Sequence, residues 1–236
     1  MVRSGRWEGI RRGSPRRIPE PDGNVILRAL KQAAQDQRTQ AETGAAIVSA
    51  VHERGPELTN GRAEGAHTRI QWILLDLGSR MGLDVWVARN DRGKSYEGNQ
   101  FALIPKMLHT LDLPFPPGAL SIVEMIDVLW LDRKTIVAAF EVEYSTSIYS
   151  GILRMADLLA TIPNLSIKLY LVAPDERRSK VFQELSRPTF AALRPPLASV
   201  CKYIAFSELD RRIGGLGDAA GYILPSFLDT FAEACS

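Results

Sequence analysis

The chain has 236 residues, of which 45% are hydrophobic and 24% charged, and a formal net charge of +2. These are the proportions of a globular protein, and the length is ample for one domain with a real core plus an accessory segment. So small a net charge sets up no global field for a polyanion, no apolar stretch approaches the roughly 20 residues of a membrane helix, and the distant Cys201 and Cys235 give neither a disulfide framework nor a zinc motif.

Residues 1–22 hold Arg, Gly, Ser and Pro and little that could be buried. Arg3, Arg6, Arg11, Arg12, Arg16 and Arg17 stand there against a single acid, Glu8. We expect a disordered basic arm, either simply solvated or touching phosphates. No apolar run follows it, so it does not read as a secretory signal, and a cytoplasmic, soluble protein is expected. Residues 23–60 are expected to form an N-terminal helical segment, with a helix over 24–54 and a break around Gly55-Pro56. The main domain is expected over 61–236.

That domain opens with a helix from about Arg62 to Met81, in which Ile70, Ile73, Leu74 and Leu77 recur at helical spacing and Gly82 sits at the C-cap position. A strand is expected over 84–90, then a long insertion over 91–121 carrying Arg92, Lys94, Tyr96, Asn99 and Gln100, residues suited to a nucleic-acid groove, a lid or a dimer contact. Two strands, 123–131 and 135–144, lie so close together that they should form a hairpin, with Asp132-Arg133-Lys134 as its turn. A helix over 147–161, an apolar strand over 167–173, a helix to about Leu193, a strand over 203–206 and a short helix over 224–234 complete the chain. Early strands joined by hairpins and later ones by helices make an α/β fold with a mixed sheet flanked by helices. Trp72, Trp86 and Trp130 are expected to pack in the core.

The chemistry concentrates in Phe140-Glu141-Val142-Glu143-Tyr144. Residues two apart on a strand share a face, so Glu141 and Glu143 point one way and Phe140, Val142 and Tyr144 the other. Two carboxylates at the end of a core strand repel each other and resist desolvation, and require a cation, a proton or water. Asp127, flanked by Ile126 and Val128, is a third. With a three-residue turn it falls opposite Ala139 on the face of Glu141 and Glu143. With a two-residue turn it falls on the other face. Clustered carboxylate oxygens with open positions suit Mg²⁺ and, through it, phosphodiester chemistry. The competing reading makes these acids surface charges, paired with Arg133, Lys134 or Arg154.

Ile126-Asp127, about a dozen residues and then Glu141-x-Glu143 on a hairpin, with a helix and a buried strand to follow, resembles the PD-(D/E)xK superfamily of restriction-endonuclease-like nucleases. The resemblance covers about residues 62–206. It implies an αβββαβ core and metal binding by Asp127 and Glu141; with Glu143 on the same face, the three acids are expected to hold Mg²⁺ or Mn²⁺. It further implies an endonuclease acting on double-stranded DNA and a homodimer for double-strand cutting. Position 143 departs from the motif, holding Glu where the family usually has Lys. A catalytically inactive nuclease-fold protein that binds nucleic acid or a protein partner is therefore the alternative.

By the same resemblance Glu64 is the acid on the helix before the sheet that would support the metal. His67, one turn later, is placed either beside it or in a local hydrogen bond. Arg154 would stand in for the missing Lys at the phosphate, or pair with Asp157 or Glu143. One hydroxyl of Ser145–Ser147 is expected to cap the following helix, and the amides of Tyr149, Ser150 and Gly151 to attract an anion.

Overall fold

The computed structural model describes residues 60–144, 148–161 and 167–235, all within the compact unit Glu57–Ser236. The expected basic arm, the helix over 24–54 and the capping hydroxyls of 145–147 lie outside the described residues.

Helix α1, Asn60–Arg80, buries Ile70, Leu74, Leu75 and Leu77 completely. It ends where expected. Gly82, at φ 83°, takes the left-handed conformation that glycine adopts without penalty, and the Leu83 amide returns to the Gly78 carbonyl at 3.0 Å. Strand β1, Asp84–Val87, follows, and its outer edge is closed by the segment 106–108 through bonds between Val85 and both Lys106 and Leu108.

The insertion is structured. A two-residue turn at Glu97 (φ 49°) and Gly98 (φ 81°) joins β2, Ser95–Tyr96, to β3, Asn99–Gln100. Helix α2, Pro117–Val123, comes next. The strand expected from Val123 therefore begins only at β4, Val128–Asp132. The apolar run before it is helical. Val123 and Ile126 are buried at i, i+3 spacing, and the Glu124 amide bonds to the Leu120 carbonyl at 2.9 Å.

The turn between β4 and β5, Thr135–Val142, differs from the three-residue turn expected. Asp132 pairs with Thr135, leaving Arg133 and Lys134 as a two-residue turn with Arg133 at φ 56°. That alone would put Asp127 on the wrong face. The ladder corrects it: Leu131 pairs with Ile136 but Trp130 pairs with Ala138, so Val137 is an extra residue in a β-bulge. Beyond the bulge Val128 faces Phe140 and Leu129 faces Ala139. Asp127, one residue earlier, comes level with Glu141 rather than Ala139.

Helix α3, Tyr149–Thr161, carries the chain to β6, Lys168–Ala173, parallel to β5. The single helix expected to Leu193 is broken into α4, Arg178–Leu185, and α5, Pro188–Ala191. Pro188 has no amide to extend a helix and restricts the residue before it. After α6, Leu197–Val200, strand β7, Cys201–Ala205, pairs parallel with β6. Helix α7, Phe206–Ile213, takes the place of the expected strand end. The expected C-terminal helix is a 3-10 segment, Pro225–Thr230, followed by the short strand β8, Glu233–Ala234.

The main sheet runs β1-β4-β5-β6-β7-β8 and is mixed, with β5, β6 and β7 parallel and the other pairings antiparallel. Both faces are covered. Ala139, Leu169, Leu171 and Ile152 belong to the core on the α3 side, and Val85, Trp130, Phe140 and Leu74 to that on the α1 side. Trp86 and Trp130 are buried and Trp72 half-buried, as their packing role requires. No described helix is long and apolar enough to cross a membrane.

Helix α1 meets the sheet at Gly78, where an added Cβ would lie 2.4 Å from Trp130 Nε1, the atom that donates to the Leu74 carbonyl at 2.8 Å. Gly78→Ala is expected to lower unfolding stability by about 1–3 kcal/mol in urea titration, from overpacking and from displacing that bond.

Candidate metal and nuclease site

Three acids meet at one end of the sheet. Glu141 lies at the end of β5 with no exposed surface, Glu143 follows just past the strand, and Asp127 immediately precedes β4. Glu143 and Asp127 are each 7% exposed, so all three carboxylates are buried. Phe140 and Val142 point to the opposite core, as the strand alternation requires.

Each acid has found a different partner. Arg154, from the second turn of α3, forks onto Glu141, with Nε 2.8 Å from Oε1 and a second bond from Nη2 to Oε2. The same guanidinium stands 3.9 Å from Asp127 Oδ1. Asp127 Oδ2 accepts from the Val142 amide at 2.8 Å and faces His67 Nε2 at 3.3 Å. Glu143 Oε1 accepts from the Gly151 amide at 3.0 Å and, at longer range, from Ser150 Oγ. The N-terminal turn of α3 thus does bind an anion, as expected, but the anion is the chain's own Glu143.

Gly151 makes this approach feasible. A Cβ there would lie 2.6 Å from Glu143 Oε1 and 3.0 Å from Glu141 Cβ. A glycine in the first turn of the helix that follows Glu-x-Glu was the sequence signal for this close contact. Only the family resemblance set His67 near the acids, and no local pattern singled out Asp127, sixty residues on, as its partner. Of the expected site residues, Asp127, Glu141, Glu143 and Arg154 come together. Arg154 pairs with Glu141, one of the acids weighed as its partner from sequence, rather than with Asp157 or Glu143. Glu64 is exposed on α1, and among the described residues no bond or ion pair ties it to the cluster. His67, one turn on, reaches Asp127 in its stead.

Burial governs the electrostatics. It pushes Glu141 well above the usual carboxylate range, the charge of Asp127 adds to it, and the Arg154 fork only partly opposes. Burial and then Asp127 push Glu143 up to about 7, against the pull of Arg154 and the Gly151 amide. Burial would raise Asp127 too, but its bond to His67, the Arg154 charge and the Val142 amide outweigh it and hold Asp127 below its ordinary value. Arg154 is raised: burial opposes its charge, and the bond to Glu141 with the surrounding acids overcomes that. Three buried carboxylates therefore face one arginine and one histidine.

The donor set fits a hard divalent cation in chemistry and in charge, since carboxylate oxygens of Asp127, Glu141 and Glu143 are left short of positive charge. Among the described residues no three His, Cys, Asp or Glu side chains stand together as a metal-holding group, and the fork of Arg154 occupies both oxygens of Glu141.

The family model for the C-terminal domain of the type II restriction enzyme NmeDI matches residues 50–235. NmeDI of Neisseria meningitidis serogroup C is 32% identical over 175 residues, which are 72% of this chain and 49% of that enzyme. The chain thus spans about half the length of the curated relative it matches. No solved structure matches.

A carboxyl raised in the folded state stabilises it when protonated, and that stability is lost as pH rises through the folded value. For Glu143 this contribution is present below about 4.5, lost through about 7, and at most about 3 kcal/mol. The melting temperature in a chelator is expected to fall between pH 5 and pH 8, and Glu143→Gln to flatten that slope. Arg154→Ala strands the buried Glu141 carboxylate and is expected to cost about 3–5 kcal/mol where that group is ionised, and less as pH falls and the raised carboxyl takes a proton.

Proposed function

The chain belongs to the restriction-endonuclease-like family of the NmeDI C-terminal domain, and from that premise we propose that it is a divalent-metal-dependent endonuclease hydrolysing phosphodiester bonds of double-stranded DNA. The observation that carries the reading is the meeting of Asp127, Glu141 and Glu143, from two neighbouring strands, around the single guanidinium of Arg154. A type II restriction activity is the form suggested by the name of the relative.

Asp127, Glu141 and Glu143 would hold the metal, Mg²⁺ or Mn²⁺. When bound, such an ion polarises the phosphate and lowers the pKa of a water. The chain's own groups supply the rest. His67 and the Val142 amide fix Asp127 Oδ2, which turns Oδ1 toward the site, where the Arg154 guanidinium faces it at 3.9 Å. Glu143, anchored through Oε1, would have Oε2 to accept the proton of the attacking water. It would thereby serve where the family usually has Lys. Arg154 carries a permanent charge suited to bidentate contact with a phosphate once a cation relieves it of Glu141. Glu64, exposed one turn before His67, remains a candidate for a supporting role in the DNA-bound state. One cluster per chain cuts one strand at a time, so the reading includes a homodimer for double-strand cleavage. The reading includes a cytoplasmic location.

Plasmid DNA incubated with the protein and Mg²⁺ or Mn²⁺ is expected to be nicked or linearised. Asp127→Ala is expected to reduce the rate at least about 1000-fold, the scale of losing a metal's stabilisation of the transition state. Intact plasmid under both ions, with no heat of metal binding by calorimetry, would discard the catalytic reading and favour an inactive nuclease-fold binding protein.

A further inference from the structure

The insertion between β1 and β4 holds a feature that the carboxylate chemistry does not use. Ser95, Asn99 and Gln100 are exposed on the β2–β3 hairpin, and its turn at Glu97 and Gly98 has the left-handed backbone of a tight two-residue hairpin. Among the described residues, Asn99 has one weak bond, from Nδ2 to the Glu97 carbonyl at 3.4 Å, and Gln100 has no side-chain bond.

Polar groups so free usually belong to soft loops, yet this ribbon is held firmly. Phe101, directly after Gln100, is fully buried with its ring 6.1 Å from Trp72 of α1. Its amide closes the base of the hairpin on the Lys94 carbonyl at 3.1 Å. Asp91 binds Lys94 Nζ at 2.8 Å and accepts from Gln71 Nε2 at 2.7 Å. Rigid presentation of unpartnered amides is what recognition of a partner's edge requires.

The anchors also place the ribbon. His67, which touches Asp127, and Gln71, which holds Asp91, are one turn apart on the same face of α1. At the end of β1 the Ala88 amide bonds to the Asp127 carbonyl at 3.2 Å, and the chain enters the hairpin seven residues later. The ribbon therefore rises from the same end of the sheet as the carboxylates.

We infer that the Ser95–Gln100 hairpin is the element that reads DNA sequence, with Asn99 and Gln100 contacting adenine edges in the major groove. This rests on the DNA-endonuclease reading above. A two-stranded ribbon fits a major groove about 12 Å wide, and Asn and Gln are the side chains whose paired donor and acceptor match adenine N7 and N6. The deep, narrow major groove of A-form RNA would not admit it. The ribbon's one acid, Glu97, and the pairing of Lys94 with Asp91 argue against tracking phosphates and for reading bases, where a carboxylate accepts from cytosine N4.

The test selects bound duplexes from a library with a randomised core, using the full chain and Asn99→Ala/Gln100→Ala, with Ca²⁺ as the divalent ion. The wild type is expected to enrich a motif that includes A·T pairs. The double variant should lose about 5- to 150-fold of preference at each of those positions, while its affinity for bulk duplex and its melting temperature stay unchanged. An identical motif from both proteins would overturn the inference. So would a uniform loss of affinity for every duplex at unchanged melting temperature, which would make the hairpin a backbone contact. Wild-type binding without any motif overturns it too, yet leaves a non-specific DNA endonuclease standing. Failure of the wild type to bind any duplex removes the DNA reading itself.

Discussion

The burial of three carboxylates against one guanidinium is the constraint on which the rest of the domain depends. A buried carboxylate is stable only if bonded, paired or protonated. This chain applies all three remedies within one cluster: Asp127 is bonded to an amide and to His67, Glu141 is paired with Arg154, and Glu143 is pushed to about 7 and can hold its proton. Each remedy draws on a different element. The cluster therefore ties α1, the β4–β5 hairpin and α3 together at the point where the charge imbalance is greatest. An arrangement so short of positive charge is poorly suited to a purely structural role, because apolar residues of similar size would stabilise the same space more cheaply.

The β-bulge at Val137 is the backbone device that makes the cluster. A two-residue turn and an unbroken ladder would have sent Asp127 to the α1-side core, among Phe140 and Val142. The sequence stated the requirement, that Asp127 share a face with Glu141 and Glu143, and the structure meets it by another route. Turn length was not legible because Asp132-Arg133-Lys134 suits two or three residues equally well. The bulge was not legible because its extra residue, Val137, is an ordinary strand residue in an ordinary apolar run.

Other elements divide along the same physical line. Regular periodicity announced α1, β5, α3 and β6, whose apolar faces repeat at 3.6 or run continuous between two cores. The apolar stretch before Asp127 misled, because Val123 and Ile126 are buried by a helical turn rather than by strand alternation. Helix α7 went unseen because Phe206, read as the end of a strand, begins it. In the site, Asp127, Glu141, Glu143 and Arg154 could be named from local pattern. Their partnerships could not. Arg154 lies thirteen residues from Glu141 and three from Asp157, and only the packing of α3 over β5 decides between them.

A sheet covered on both faces leaves chemistry nowhere to go but its ends. At this end the Gly151 amide in the first turn of α3 is already taken by Glu143, whose carboxylate stands where a phosphate would approach. Within the cluster the permanent positive charge is that of Arg154, which is 29% exposed along its side chain and so reaches solvent while gripping Glu141. A cation that binds Glu141 must compete with that grip, and a phosphate that binds Arg154 weakens it. Each favours the other through the same ion pair. On the reading of a metal-dependent nuclease, metal and polyanion would thus be coupled in sign through Arg154, because the guanidinium cannot remain bidentate on Glu141 while contacting a phosphate.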